Sequence, residues 1–168
     1  MHIEKWWGNL VGGTDDSLLL VDYFEELPKS IISLDEVYRD LGLDTIFQEG
    51  NLKQDAAMGF EMTINGSLVH AEMDIASAAV IDLAAIVLES LNCGFVDLQD
   101  LDDVRSEKRI VIQATKQDLA LLCRVLEQFA EDPFAYDLAE FVPVEDMLEL
   151  GQAAQEIANE LKKWEELT

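Results

Sequence analysis

The segment from Ile75 to Leu91 limits what this chain can fold into more than any other. As a helix it is apolar around nearly its whole circumference, broken by Ser77, Asp82 and Glu89, and a helix of that kind has to be covered on several sides. The competing reading is a membrane span. Asp82 sits in the middle of the run, Asp74 and Glu89 bracket it, and no Lys or Arg lies near either end, so a buried helix of a folded domain fits better. Asp74 stands where it can cap this helix, which should reach about Asn92, and Gly94 stands where it should end.

The cover for such a helix is legible on both sides of it. Thr14, Asp15, Asp16 and Ser17 form a cluster of capping residues that leads into Leu18 to Leu27, with Pro28 as a stop. Ser33 and Glu36 have capping-box spacing ahead of a short helix that Gly42 ends. From Gly59 to Met73 the alternation of Phe60, Met62 and Ile64 with Glu61 and Thr63 runs up to Asn65 and Gly66, a type I′ turn pair, and predicts a β-hairpin. A two-residue loop puts Ile64 opposite Ser67, Met62 opposite Val69 and Phe60 opposite Ala71. The face carrying Phe60, Met62, Ile64, Val69, Ala71 and Met73 should then meet the core. Phe95 and Val96 suggest a short strand, and Arg109 to Thr115 a second, with Ile110, Val111 and Ile112 suited to the centre of a sheet. Thr115 with Asp118 begins a helix striped by Leu119, Leu122, Leu126 and Phe129 that Pro133 ends. A long last helix from about Glu145 to Leu167 carries a seam of Met147, Leu150, Ala154, Ile157, Leu161 and Trp164, to dock on the rest of the domain or to pair in a dimer.

These elements predict an α+β domain over 1–168, with a small antiparallel or mixed sheet packed on several helices. Met1 to Leu10 lacks the basic region and apolar core of a secretory signal, and the expectation is a cytoplasmic protein with no membrane segment. Cys93 and Cys123 are too few for a disulfide framework, and both are expected to be reduced core thiols.

The charge is lopsided. There are 35 acidic and 11 basic residues, for a formal charge of -24. No Lys or Arg falls between Lys53 and Arg105 or between Arg124 and Lys162, and each gap holds ten Asp or Glu. High net charge marks disorder only when hydrophobic residues are scarce, and here they make up 49% of the chain. A surface of this sign repels nucleic acid and anionic membranes and favours a basic partner.

Chemistry is harder to find. Asp97, Asp100, Asp102 and Asp103 suggest a hard-cation site, but a calcium loop counted from Asp97 would need Gly and Glu where Asp102 and Lys108 stand. No metal or cofactor is expected. His70, across the hairpin from Glu61 and on the same face as Glu72, reads as a cross-strand ion pair before it reads as a general base, and His2 carries nothing. Gly12 and Gly13 lead to Thr14 and two aspartates, which would repel a phosphate. No nucleophile elbow, metalloprotease or zinc-deaminase pattern is present. The only basic cluster, Arg105, Lys108 and Arg109, is too small for direct nucleic-acid binding and stands ready to pair with the acidic loop before it.

In its acidity, its α+β pattern and its lack of an active-site signature, the chain resembles the immunity proteins of bacterial toxin systems. The resemblance covers the whole chain as a profile and rests on no motif. It implies a non-enzymatic binding module that blocks a basic toxin domain, such as a nuclease, by occlusion, as a monomer or a homodimer. From charge and expected exposure, the candidate contacts are Asp97, Asp100, Asp102, Asp103, Glu131, Asp132, Asp137 and Glu140, with Phe134 and Tyr136 as aromatic anchors. Two alternatives stay open: an acidic, dimeric chaperone for a secreted effector that uses the C-terminal seam, and a small enzyme built on His70 or the aspartate loop.

Overall fold

The computed structural model describes residues 3–54, 58–103, 105 and 107–168, so His2 lies outside the described residues. Helix α1 (Asp15–Glu26) opens with a reciprocal cap in which the Thr14 hydroxyl accepts the Ser17 amide and the Ser17 hydroxyl accepts the Thr14 amide. Strand β1 (Ile31–Ser33) runs straight into α2 (Leu34–Leu41), where the Ser33 hydroxyl accepts the Glu36 amide and Gly42 ends the helix at φ 78°. After α3 (Leu43–Glu49), β2 (Met58–Ile64) and β3 (Ser67–Met73) form the expected hairpin in the expected register. Asn65 at φ 51° and Gly66 at φ 80° supply the two left-handed positions of its turn.

The long apolar segment becomes α4 (Ala76–Cys93). It is long and apolar enough to cross a membrane by length and composition, yet 78% of it is buried. The chain then forms β4 (Val96–Asp97), the single turn α5 (Leu98–Leu101), β5 (Arg109–Gln113), α6 (Lys116–Glu131) and α7 (Val144–Leu167). The fold is α+β. β5 is the middle strand of a mixed sheet, parallel to β1 and antiparallel to β4, while the hairpin is a separate two-stranded sheet. α4 lies at the centre, packed by the first turn (Ile3–Lys5), α1, β4, β5, α6 and α7. Met147, Leu150, Ala154, Ile157 and Leu161 of the α7 seam are buried, and α7 packs along α6 and against α4.

The polar groups of α4 explain how so apolar a helix is fixed in register. Ser90 Oγ accepts the amide of Ile112 in β5 at 2.9 Å, and Glu89 Oε2 accepts the amide of Ile3 at 3.1 Å. Asp82 accepts the Gly12 amide at 2.8 Å and the Ser17 hydroxyl at 2.5 Å. Each buried acceptor thus meets a donor from a different part of the chain, which makes its burial affordable. Burial pushes the Asp82 carboxyl up to about 7, against the two hydrogen bonds from Ser17 and Gly12, and the nearby Asp16 pushes the same way as burial.

Three expectations need correcting. Asp74 does not cap α4; the N-cap is Ile75, without a side-chain bond, and Asp16 of α1 accepts the amides of both Asp74 and Ile75 at 3.1 and 2.9 Å. The hairpin face meets the core over only part of its length: Met58, Phe60 and Met73 are buried and Met62 and Ala71 are half-buried against it, whereas Ile64 and Val69, near the turn, are 46% and 40% exposed. The strand pair is longer than the α1–α2 surface it rests on, so its far end stands in solvent. Cys93 is exposed at the end of α4, its thiol donating to Glu89 Oε1 at 2.9 Å, and of the two thiols only Cys123 is in the core.

Candidate functional site

The aspartate segment 97–103 is an ordered turn rather than an open loop. Leu98 and Leu101 are buried beneath α5, which leaves the carboxylates on the outside of the turn. Asp97 caps α5 by accepting the Gln99 amide at 3.1 Å, and it pairs with Arg109 at 3.7 Å. Asp102 accepts from Arg105 Nε at 3.0 Å. Asp100 and Asp103 are exposed. Desolvation, then the charges of Asp97, Glu89 and Glu4, raises the Asp100 carboxyl above the ordinary range. A carboxylate crowded by like charges gains most from an arriving cation.

The basic cluster that follows turns back on the protein. Arg105 reaches Asp22 and Glu25 of α1 as well as Asp102; burial works against its charge, but these acids hold its proton more tightly than usual. Lys108 Nζ donates to the carbonyls of Phe24, Glu25 and Leu27 at 2.8, 3.3 and 2.6 Å, satisfying the end of α1, and its own pKa is lowered by desolvation. Arg109 lies over the Phe95 ring at 4.5 Å. The expected pairing with the acidic segment therefore holds for Arg105 and Arg109, while Lys108 serves a helix end instead.

The second acidic segment follows α6. Glu131, Asp132 and Glu140 are exposed, and Asp137 is half-buried. Lys53 lies across an open groove of about 560 Å³ from Glu131 and Asp132. Phe134 is 46% exposed. Tyr136 is buried: its ring packs edge-on against Phe129 with centroids 4.8 Å apart, and burial, then Asp132, raises its hydroxyl pKa. Of the two aromatic candidates, then, only Phe134 stands where a partner can touch it.

A third group, invisible as a site in the sequence, lies between the aspartate turn and α7. The Trp7 indole donates to the Leu101 carbonyl of α5 at 3.0 Å, and the Trp6 indole reaches Glu156 of α7 at 3.4 Å. Both rings are half-buried and share a shallow recess with Glu4, Asn9, Glu149 and Ala153. The amino-terminal turn thereby bridges the aspartate turn and the acidic surface of α7. His70 and Glu61 pair at 2.8 Å on the exposed hairpin. Among the described residues, no group of three His, Cys, Asp or Glu is placed to hold a metal ion.

The family described as Immunity protein 68 has a model that matches residues 2–161. This chain belongs to that family. Membership in Immunity protein 68 makes a toxin the partner to be neutralised, in a class of proteins that are generally inhibitors and not enzymes. No curated protein and no solved structure matches the chain.

Proposed function

We propose that the chain neutralises a toxin domain with a basic working surface, a nuclease being the kind that fits best, by covering that surface with its acidic face in the cytoplasm. The observation that carries this reading is the placement of charge. Asp100, Asp103, Glu131, Asp132 and Glu140 stand outside, while the cations nearest the first segment, Arg105, Lys108 and Arg109, fold back onto α1, the aspartate turn and Phe95. Carboxylates presented in this way take the place of phosphates against Arg and Lys, and they speed encounter while discouraging wrong partners. Binding alone is sufficient, with no chemistry performed by the immunity protein itself. The chaperone alternative draws less support, because the seam it would use for a dimer packs within the chain against α6 and α4.

The test is co-expression with a basic toxin domain found encoded next to this chain's gene, followed by co-purification at low salt. Growth should be rescued, and the association rate should fall steeply as salt is raised. Replacing Asp100, Asp103, Glu131 and Glu140 by Lys should slow association by about tenfold or more. A pair that associates equally fast at low and high salt, or that ignores the charge reversal, would remove the electrostatic part of the proposal.

A further inference from the structure

We infer that the toxin is held by an apolar anchor on the amino-terminal shoulder of α7, built from Phe134, Phe141, Val144 and Leu148, and that the partner is a surface with an apolar recess set among Lys and Arg. This rests on the neutralising reading above and says where its grip lies.

The four side chains are 46%, 63%, 64% and 56% exposed, unlike the seam beside them, where Met147, Leu150 and Ala154 are buried. Val144 and Leu148 are one turn apart and so lie on the same side of α7. Gly151, three residues beyond Leu148, sits against Pro133, where an added Cβ would come within 3.4 Å of the proline ring. That contact brings the turn carrying Phe134 onto the same shoulder. Phe141 ends the 137–140 turn and leads through Pro143 into α7. Scattered exposed apolar residues are ordinary on a protein surface, but large ones gathered on one shoulder and rimmed by charge mark an interaction site.

The rim decides what fits there. Glu140, Glu145 and Glu149 take part in no ion pair among the described residues. No Lys or Arg occurs from 125 to 161. Cations meet this region away from that rim: Lys53 shares a groove with Glu131 and Asp132, Lys5 pairs with Glu156 at 3.8 Å, Lys162 with Glu127, and Lys163 with Glu160 at 3.2 Å. A second copy of the chain is a poor occupant, because a two-fold contact would set the same glutamates against one another with no cation between. A basic surface satisfies both requirements at once. Its charges meet the rim, and its recess takes the aromatic and aliphatic side chains that carry most of the binding energy at interfaces.

The experiment measures affinity for the toxin domain used in the co-expression test, and protection of growth, with the wild-type chain, Phe141→Ala, Leu148→Ala, their double variant, and Leu68→Ala on the exposed hairpin as a control. All three substituted positions are exposed, and thermal melts check that each variant stays folded. Expected is a loss of about tenfold or more in affinity for each α7-shoulder variant, loss of protection in the double variant, and a change within about twofold for Leu68→Ala. Hydrogen exchange of the wild-type complex should protect residues 141–149. If the wild-type chain binds and protects while both shoulder variants bind equally well and 141–149 stays unprotected, the anchor is refuted and the neutralising function stands. If the wild-type chain neither binds nor protects, both fall. If Phe141→Ala and Leu148→Ala instead convert a dimer to a monomer, a second copy occupies the face and the inference is overturned.

Discussion

Asp82→Asn isolates the cost of keeping a carboxyl at the centre of the core. Asp82 is 2% exposed and, among the described residues, accepts hydrogen bonds from the Gly12 amide and the Ser17 hydroxyl, with Asp16 as an unfavourable neighbour. Its pKa is 3.8 ordinarily and about 7 in the fold, so between those values the folded state binds a proton that the unfolded state does not. Stability contributed by this group is therefore present at low pH and is lost as pH rises. The slope is about 1.36 kcal/mol per pH unit, and the loss approaches roughly 4 kcal/mol by neutrality. Asn has no such titration, and its amide can keep a partner for both the Gly12 amide and the Ser17 hydroxyl. The measurement is urea unfolding of both proteins from pH 5 to pH 8. Repulsion among the surface acids also changes over this range, but it is common to both proteins and cancels in the difference. The variant should gain on the wild type by about 2 kcal/mol between pH 5 and pH 7, and the two curves should become parallel only towards pH 8, once the folded carboxyl is fully ionised. Curves that stay parallel from pH 5 upward would mean that Asp82 titrates like an ordinary carboxyl and that its burial is uncosted.

Other expectations are open to direct measurement. Lys108→Met keeps the aliphatic stem but strips three carbonyls of their donor at the end of α1, and should cost about 1–3 kcal/mol in chemical denaturation, with increased amide exchange confined first to residues 22–27. Gly12→Ala should cost about 2 kcal/mol or more, because φ is 78° and an added Cβ would run into the Trp7 ring; the change should also appear in tryptophan fluorescence. In the native protein a thiol reagent should label Cys93 promptly and Cys123 only on unfolding, since Cys123 is buried and its thiol is pushed up to about 11 by that burial.

Local signals in the sequence carried through wherever one residue type had one job. The Asn65–Gly66 turn set the hairpin register, Thr115 with Asp118 opened α6, and Gly42 and Gly94 ended their helices. Features created by long-range pairing were not legible. Ile31–Ser33 is too short to show a strand period and becomes one only because β5 lies alongside it. Asp74 looked like a cap because it precedes α4, whereas the carboxylate that serves that entry comes from Asp16, 58 residues earlier. The candidate site divides in the same way. Exposure of Asp100, Asp103, Glu131, Asp132 and Glu140 followed from charge, but the internal pairing of Asp97 and Asp102, the burial of Tyr136 and the bridging Trp6 and Trp7 depend on partners distant in the chain. A charge count cannot distinguish a carboxylate used at home from one offered to a partner.

The central position of α4 also bears on the order in which the protein is made. Residues 3–12 are fastened to Glu89 and Asp82, so this segment has no place to dock until α4 has been made after it. α4 in turn is covered by β5, α6 and finally α7, the last of which begins at Val144. Until α7 has been made, therefore, a helix apolar enough to resemble a membrane span waits without its full cover. Synthesis of α7 therefore sets the moment at which α4 is fully covered and this route to aggregation closes.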